Sequence, residues 1–184
     1  MGYSASDTAK KHQLILDESI RLFRERGFSG VSVSELMSAA GLTHGPFYNH
    51  FASKESLMSE AFAHEMDRWT GDLDKWPPTQ HGKARYVDDY LSTKRLTDRG
   101  GGCPVAALAS EVRQEQLVQP AFTDKLKAFI HKFATRFPWR SRRSARGDAI
   151  HMFASLVGAV ILARAVNDNE FAQEILVETR KRIV

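Results

Sequence analysis

The stretch Ser32–Leu57, SVSELMSAAGLTHGPFYNHFASKESL, decides the fold. Ser32 stands just before an apolar-periodic run and Glu35 follows three residues later. That spacing is a capping box, in which a serine hydroxyl and a glutamate carboxylate satisfy the free N–H groups of a helix start. Leu36 and Ala39 are expected on one face, with Ala40 beside them. Gly41 can take the left-handed conformation that ends a helix, and Leu42 is an apolar plug in the turn. Thr43 is a candidate cap for the next helix, and Pro46 is tolerated in that helix's first turn, where its missing N–H has no partner to lose. A helix, a short turn containing glycine and a second helix form the helix-turn-helix pattern, which lays its second helix in the DNA major groove.

That second helix, Thr43 to about Phe51, holds Thr43, His44, Tyr48, Asn49 and His50 within eight residues. Hydroxyls, an amide and imidazoles are the groups that reach phosphate oxygens and base edges. Phe47 and Phe51, four apart, face inward and fix the helix to its domain. The competing reading is a polar surface turn of an all-helical protein.

Residues 15–57 resemble the DNA-binding domain of the TetR family of bacterial transcriptional repressors. The resemblance rests on Ile15, Leu16, Leu22, Phe23, Gly27, Phe28 and Ser32. It continues through Leu36, Ala40, Gly41, Leu42, Thr43, Gly45, Phe47, Tyr48, His50, Phe51, Lys54, Glu55 and Leu57. The block GLTHGPFYNHFASKESL is far more specific than a generic helix-turn-helix. His44 and Pro46 depart from the commonest pattern, which has a basic and a small polar residue there; this bears on the base-reading contacts and hence on the operator. The resemblance implies that Thr43, Tyr48 and Lys54 touch phosphates, with Ser32 helping at the start of its helix. It places His44, Gly45 and Asn49 near base edges, with His50 on either, and glycine at 45 lets the helix approach closely.

The remaining sequence reads as helical throughout, about nine helices in all. The fold class is all-α: a three-helix helix-turn-helix domain over residues 1–52 and a larger effector-binding and dimerisation domain over residues 53–184. A first helix is expected from about Asp7 or Thr8 to Arg26, with Ile15, Ser19, Leu22 and Phe23 buried. A fourth begins near Ser53, runs toward Trp69 and links the reading head to the body as the one element touching both. Residues 75–82 (KWPPTQHG) are a loop, residues 83–96 a helix carrying Tyr86, Val87 and Tyr90, and residues 99–102 a glycine-rich break without the phosphate-cradling P-loop pattern. Pro104 opens a short helix. Another follows Pro120 with Phe122, Leu126, Phe129 and Phe133 on one stripe, and it stops before Pro138.

The segment Arg146–Val166 is apolar nearly all round, which requires burial on every side. The body of a chain of 184 residues can cover about one side, and a second copy the other. With a final helix carrying Phe171, Ile175, Leu176, Thr179 and Ile183, two copies would build a four-helix bundle. The TetR resemblance implies the same dimer. The expected interface residues are Ser155, Gly158, Ala159, Leu162, Phe171, Ile175 and Thr179. A monomer with a well-packed core is the alternative. An apolar effector pocket in the body is expected to draw on Trp69, Tyr86, Tyr90, Phe122, Phe129, His151 and Met152, although aromatic stripes at helical spacing are more often plain core.

Composition is that of an ordinary soluble globular protein, with 42% hydrophobic and 26% charged residues. One cysteine excludes an intramolecular disulfide and fits a reducing cytoplasm. The N-terminus lacks the apolar core of a secretory signal, and the run Met152–Ala163 is too short to span a bilayer. The net charge of +4 and pI near 9.3 favour a polyanionic partner. Residues 1–60, however, carry six cations against seven anions, a net of −1. The case for DNA therefore rests on the helix-turn-helix, and the basic run 136–146 is read as a solvated loop. His64-Glu65 begins like a zincin motif, but the second histidine is missing. Cys103, just before a helix start, could have a lowered thiol pKa and serve as a redox switch, against the plainer reading of an inert thiol. No catalytic arrangement, metal or cofactor is implied. The expected function is a homodimeric cytoplasmic repressor that binds a palindromic operator and is released by a small apolar or aromatic effector. The alternative is a small-molecule-binding or enzymatic helical protein with a vestigial head.

Overall fold

The computed structural model describes residues 5–184; residues 1–4, part of the N-terminal segment read above, lie outside them. Among the described residues the chain is all-α, with no strand. α1 (Ala5–Arg26) buries Ile15, Leu16, Ser19, Ile20, Leu22 and Phe23 along one stripe. α2 (Val33–Ala39) starts with the expected capping box: Ser32 accepts from the Glu35 backbone N–H at 3.3 Å, and the Ser32 N–H donates to the Glu35 carboxylate at 2.8 Å. Its buried face is Leu36, Met37 and Ala40, and Ala39 points outward instead. Gly41 is left-handed (φ +70°). The Leu42 N–H reaches the Met37 carbonyl at 2.9 Å and the Gly41 N–H reaches Ser38 at 3.0 Å, a Schellman termination sealed by Leu42 against the core.

The second helix of the motif is shorter and tighter than expected. It is a 3₁₀-helix, Gly45–Asn49, whose cap position is His44 with no side-chain cap, so Thr43 does not cap it. Pro46 at its start cannot donate a backbone hydrogen bond, and so short a segment favours i→i+3 bonding. α3 (Lys54–Asp72) is capped by Ser53 on the Ser56 N–H and runs deep into the body, burying Leu57, Met58, Ala61, Phe62, Glu65 and Met66.

A second 3₁₀-helix, Leu73–Lys75, leads to α4 (Gln80–Tyr90). Thr79 caps α4 through the Gly82 N–H at 3.0 Å, so the helix starts within the expected loop. The helix expected over 83–96 is two, because Ser92 caps a new one, α5 (Thr93–Thr97). α6 (Pro104–Val112), α7 (Gln119–Arg136), α8 (Ala145–Ala165) and α9 (Asn169–Ile183) follow, with Asp168 capping α9. Arg140, Arg142 and Arg143 are exposed in the loop between α7 and α8.

α3 packs along both α1 and α7, α7 on α8, α8 on α9, and α6 sits between α1 and α8. The body's core is aromatic: Phe62 stacks on Phe122 at 5.0 Å, and Phe129 meets Phe133 and Phe153 at 5.7 and 4.6 Å. Each fully buried phenylalanine contributes about 1.5–3 kcal/mol. α8 is long and apolar enough by length and composition to cross a bilayer. One face, Ala149 through Ala163, nevertheless builds this core, while Ala154, Ile161, Leu162 and Ala165 lie exposed on the opposite face.

Glu65, the residue beside His64, is wholly buried and has a structural task. Its carboxylate pairs with Arg24 of α1 and with Arg68 at 2.8 Å, and it accepts from the Trp69 indole N–H at 3.1 Å. Arg24 also donates to the Gly102 carbonyl at 3.3 Å. Paired burial of this kind is what a buried carboxylate requires.

Candidate nucleic-acid interface

The 3₁₀-helix is held by two inward rings, Phe47 (1% exposed) and Phe51 (3% exposed), 5.8 Å apart. Between them the chain turns its polar side out. Tyr48 is 69% exposed, Thr43, His44 and Asn49 are exposed, and the His44 ring stands edge-on to Tyr48 at 6.5 Å. A side chain leaving this much phenol in water, beside an amide and an imidazole, presents hydrogen-bonding groups on a rigid base. No heavy atom lies within 4 Å of where a Cβ on Gly45 would stand, so nothing inside the chain demands glycine there.

Lys54 opens α3, and its Nζ donates to the Phe28 carbonyl at 2.6 Å. An ammonium has three donors, so two remain for a phosphate at this helix start. Ser32 is exposed, yet its hydroxyl donates to the Glu35 carboxylate at 2.8 Å while accepting from Glu35, so in the free chain it serves the cap. His50 is half-buried, 5.8 Å from the His12 ring. Burial, then the neighbouring His12 and Lys11, holds its pKa below the ordinary 6.5.

The sequence reading missed α1's part in this surface. His12 stacks on Phe51 at 4.6 Å and bonds Glu60 at 2.6 Å, and with Thr8, Ala9, Gln13, Asn49 and His50 it lines an open hollow. A polar residue on the exposed side of an amphipathic helix carries no periodic signal that would have singled it out. The head's three arginines are all ion-paired within the chain, Arg21 with Glu18 and Glu25, Arg24 with Glu65 and Arg26 with Glu35, and of the three only Arg24 is buried.

The expected effector residues do not form one pocket. Trp69, Tyr86 and Tyr90 line a cleft of about 200 Å³ together with Trp76, Arg95 and Gly101. The cleft's charges are paired, Arg68 with Glu65, Lys75 with Asp72 and Arg95 with Asp89. Phe122 lines a separate, open apolar groove of about 390 Å³ between α7 and α8. Phe129 and Met152 are core residues in neither space, and His151 is exposed on the outer side of α8, because helical rotation turns it away from Met152. Cys103 is buried, and burial raises its thiol pKa despite the N–H groups of Val105 and Ala106, so desolvation outweighs the helix start. Of the two readings of Cys103, the buried thiol agrees with this placement and the activated one does not.

Among the expected interface residues, Leu162 (57% exposed) and Phe171 (48% exposed) are open, and Ser155, Gly158, Ile175 and Thr179 are half-buried. Ala159 is buried within the chain, on the stripe with Leu156 and Ala163, and belongs to the core of the single subunit.

Residues 15–61 match the family model for bacterial regulatory proteins of the tetR family. Over 54 residues the chain is 43% identical to the HTH-type transcriptional regulator AcrR of Shigella flexneri, covering 29% of this chain and 25% of that one. It is 29% identical over 106 residues to the HTH-type transcriptional repressor DhaR of a Mycobacterium species, covering 54% of this chain and 51% of that one. The chain spans between 18% and 51% of the length of the first curated relatives it matches. Reduced NemR of E. coli shares the fold, with a TM-score of 0.79 over 95% of each chain at 18% identity.

Proposed function

We propose that the chain, whose residues 15–61 match the family model for bacterial regulatory proteins of the tetR family, is a cytoplasmic transcriptional repressor. It acts as a homodimer on a palindromic operator and is released by a small effector. The observation that carries this reading is the exposed set of Thr43, His44, Tyr48 and Asn49 on a helix pinned by two buried phenylalanines. In it, residues 1–52 form the reading head and residues 53–184 the body. Thr43, Tyr48 and Lys54 hold phosphates, with Ser32 supporting them through the cap of α2. His44, Gly45 and Asn49 approach base edges, and His50 serves on either. The solvent-facing apolar stripe of α8, with Leu162 toward its C-terminal end, and the exposed Phe171 of α9 are covered by a second copy. No catalytic role is assigned.

The effector site of this reading is the cleft of Trp69, Tyr86 and Tyr90. Its aromatic walls and mutually paired charges suit a small, neutral, largely aromatic molecule. Such a ligand should raise the melting temperature and weaken operator binding together, and Trp69→Ala should blunt both responses.

Selection from random duplexes tests the central claim. The parent should enrich a palindrome and bind it with an affinity that falls steeply as salt rises. Lys54→Ala should weaken all sequences alike and flatten the salt slope by about one unit, whereas Asn49→Ala should relax sequence preference. A selection that enriches no site overturns the reading.

A further inference from the structure

The turn between α1 and α2 is gripped from both sides through the backbone of one residue. The Phe28 N–H donates to Glu111 Oε2 at 2.7 Å, and the Phe28 carbonyl accepts from Lys54 Nζ at 2.6 Å. The two grips come from different places. Lys54 is the first residue of α3, among the proposed phosphate contacts, while Glu111 is the penultimate residue of α6, a body helix that packs on α8.

The preceding residue is shaped for this contact. Gly27 is left-handed (φ +77°), and a Cβ on it would stand 2.5 and 2.7 Å from the two Glu111 carboxylate oxygens. The carboxylate therefore occupies the space a side chain would need, and any other residue at 27 would displace it. The Phe28 ring is buried and meets Phe23 at 5.2 Å, so the residue cannot swing to a new position without disturbing the head's core. The ring fixes the side chain of Phe28, and Glu111 fixes the backbone N–H of the same residue whose carbonyl Lys54 holds.

We propose that Glu111 is a positioning residue for DNA binding. By fixing the Phe28 backbone it holds the carbonyl that tethers Lys54, and so sets where that ammonium meets a phosphate. This inference rests on the DNA-binding reading above. Its physical basis is preorganisation: lysine is a long, rotamer-rich side chain, and ordering it before binding removes a cost otherwise met on the DNA. Releasing one such side chain weakens binding on the order of threefold to tenfold per subunit.

The test compares Glu111→Ala, Glu111→Gln, Glu111→Asp, Lys54→Ala and the double variant Glu111→Ala/Lys54→Ala on the selected duplex across a salt series. Glu111→Ala should weaken binding. Glu111→Asp, one methylene too short to reach the Phe28 N–H while keeping its charge, should do the same. Glu111→Gln should bind like the parent, since its amide oxygen still accepts. The double variant should bind no worse than Lys54→Ala, because Glu111 acts through that lysine. Phe28 amide exchange gives a reading independent of DNA, with protection lost in the Ala and Asp variants and kept in Gln. If Glu111→Ala and Glu111→Asp bind like the parent, or if the Glu111→Ala loss adds in full to that of Lys54→Ala, the role of Glu111 is overturned. A parent that binds no duplex overturns the DNA-binding reading itself.

Discussion

Replacing Leu162 with alanine probes assembly where subunit and dimer should respond differently. Leu162 is 57% exposed in the single chain, so its truncation takes little from the chain's own core. Fully burying a leucine contributes about 1.5–3 kcal/mol, so covering the exposed part gives roughly 1–1.7 kcal/mol per copy, of which alanine forfeits about 1 kcal/mol. A two-fold interface counts the residue twice, for about 2 kcal/mol per dimer, or about thirtyfold in the dimer Kd. Gly158→Arg is the harsher companion. No heavy atom lies within 4 Å of its Cβ position, so the folded subunit accommodates the change, yet a second copy would bury an unpaired cation. Sedimentation equilibrium should show the parent dimeric at micromolar concentration, Leu162→Ala weaker by the stated factor and Gly158→Arg monomeric, with all three subunits folded by circular dichroism. Ala159→Arg would not make the same point, because Ala159 is core. A parent that sediments as a folded monomer, or a Gly158→Arg dimer as tight as the parent, refutes the assignment of this face.

Further outcomes follow from the same geometry. Phe47→Ala empties an anchoring site that is 1% exposed, at a cost of about 3–5 kcal/mol, and should lower Tm by roughly 6–20 °C; a shift of a degree or two in a melting curve would contradict its anchoring role. Glu65→Gln leaves Arg24 buried without its counter-charge and should destabilise the fold by about 3–5 kcal/mol in urea, against a null effect if the pair is dispensable. The pKa of His50 lies below 6.5 in the folded chain, so as pH falls the unfolded chain takes up that proton first. The stability tied to neutral His50 is therefore present above 6.5 and lost as pH falls to and through the folded value. Between about pH 7 and pH 5 the parent should lose more Tm than His50→Gln, and equal losses would remove His50 from the account. Cys103, buried and with its pKa raised, should react with a thiol reagent only at the rate of unfolding. Rapid stoichiometric labelling of the native protein would show an accessible thiol instead.

The head was legible because its signals are local and chemical. Ser32 with Glu35, Gly41 with Leu42, and Ser53 each satisfy backbone groups within a few residues of themselves. Phe47 and Phe51 sit at a spacing that only an inward face explains. The body was legible in helices but not in sites. Periodicity places Phe129, Tyr90 and Met152 on apolar stripes, yet the same stripe serves core and pocket alike, and only packing separates them. Short caps such as Thr79 and Ser92 moved boundaries that composition alone had blurred. The apolar circumference of α8 concealed two different faces, since small residues read alike whether they meet their own chain or a second one. Long-range pairs left no trace at all: Arg24 with Glu65 are 41 residues apart, and Phe28 with Glu111 83.

Those long-range pairs also change how a switch in the body would reach the head. The sequence suggested a single linking helix, α3. The structure adds α6, which packs on α1 and α8 and bonds the Phe28 turn, and the 99–102 loop, where Gly102 receives Arg24. A ligand can shift the spacing of two heads only through its difference in affinity for the two arrangements. With one link, that difference would need only to tilt α3. With two, a tilt of α3 that left α6 in place would strain the Phe28 contacts, so the head moves with both or with neither. The cleft lies where both can be addressed at once. Trp69 and Glu65 on its wall belong to α3, and Gly101 on its rim belongs to the loop that leads into α6. An occupant touching both walls biases the pair as a unit, whereas one confined to the apolar groove of α7 and α8 reaches only Val105 of α6 and leaves the Glu65 cluster untouched. On this argument the cleft is the better placed of the two spaces to control the head, although the groove is larger.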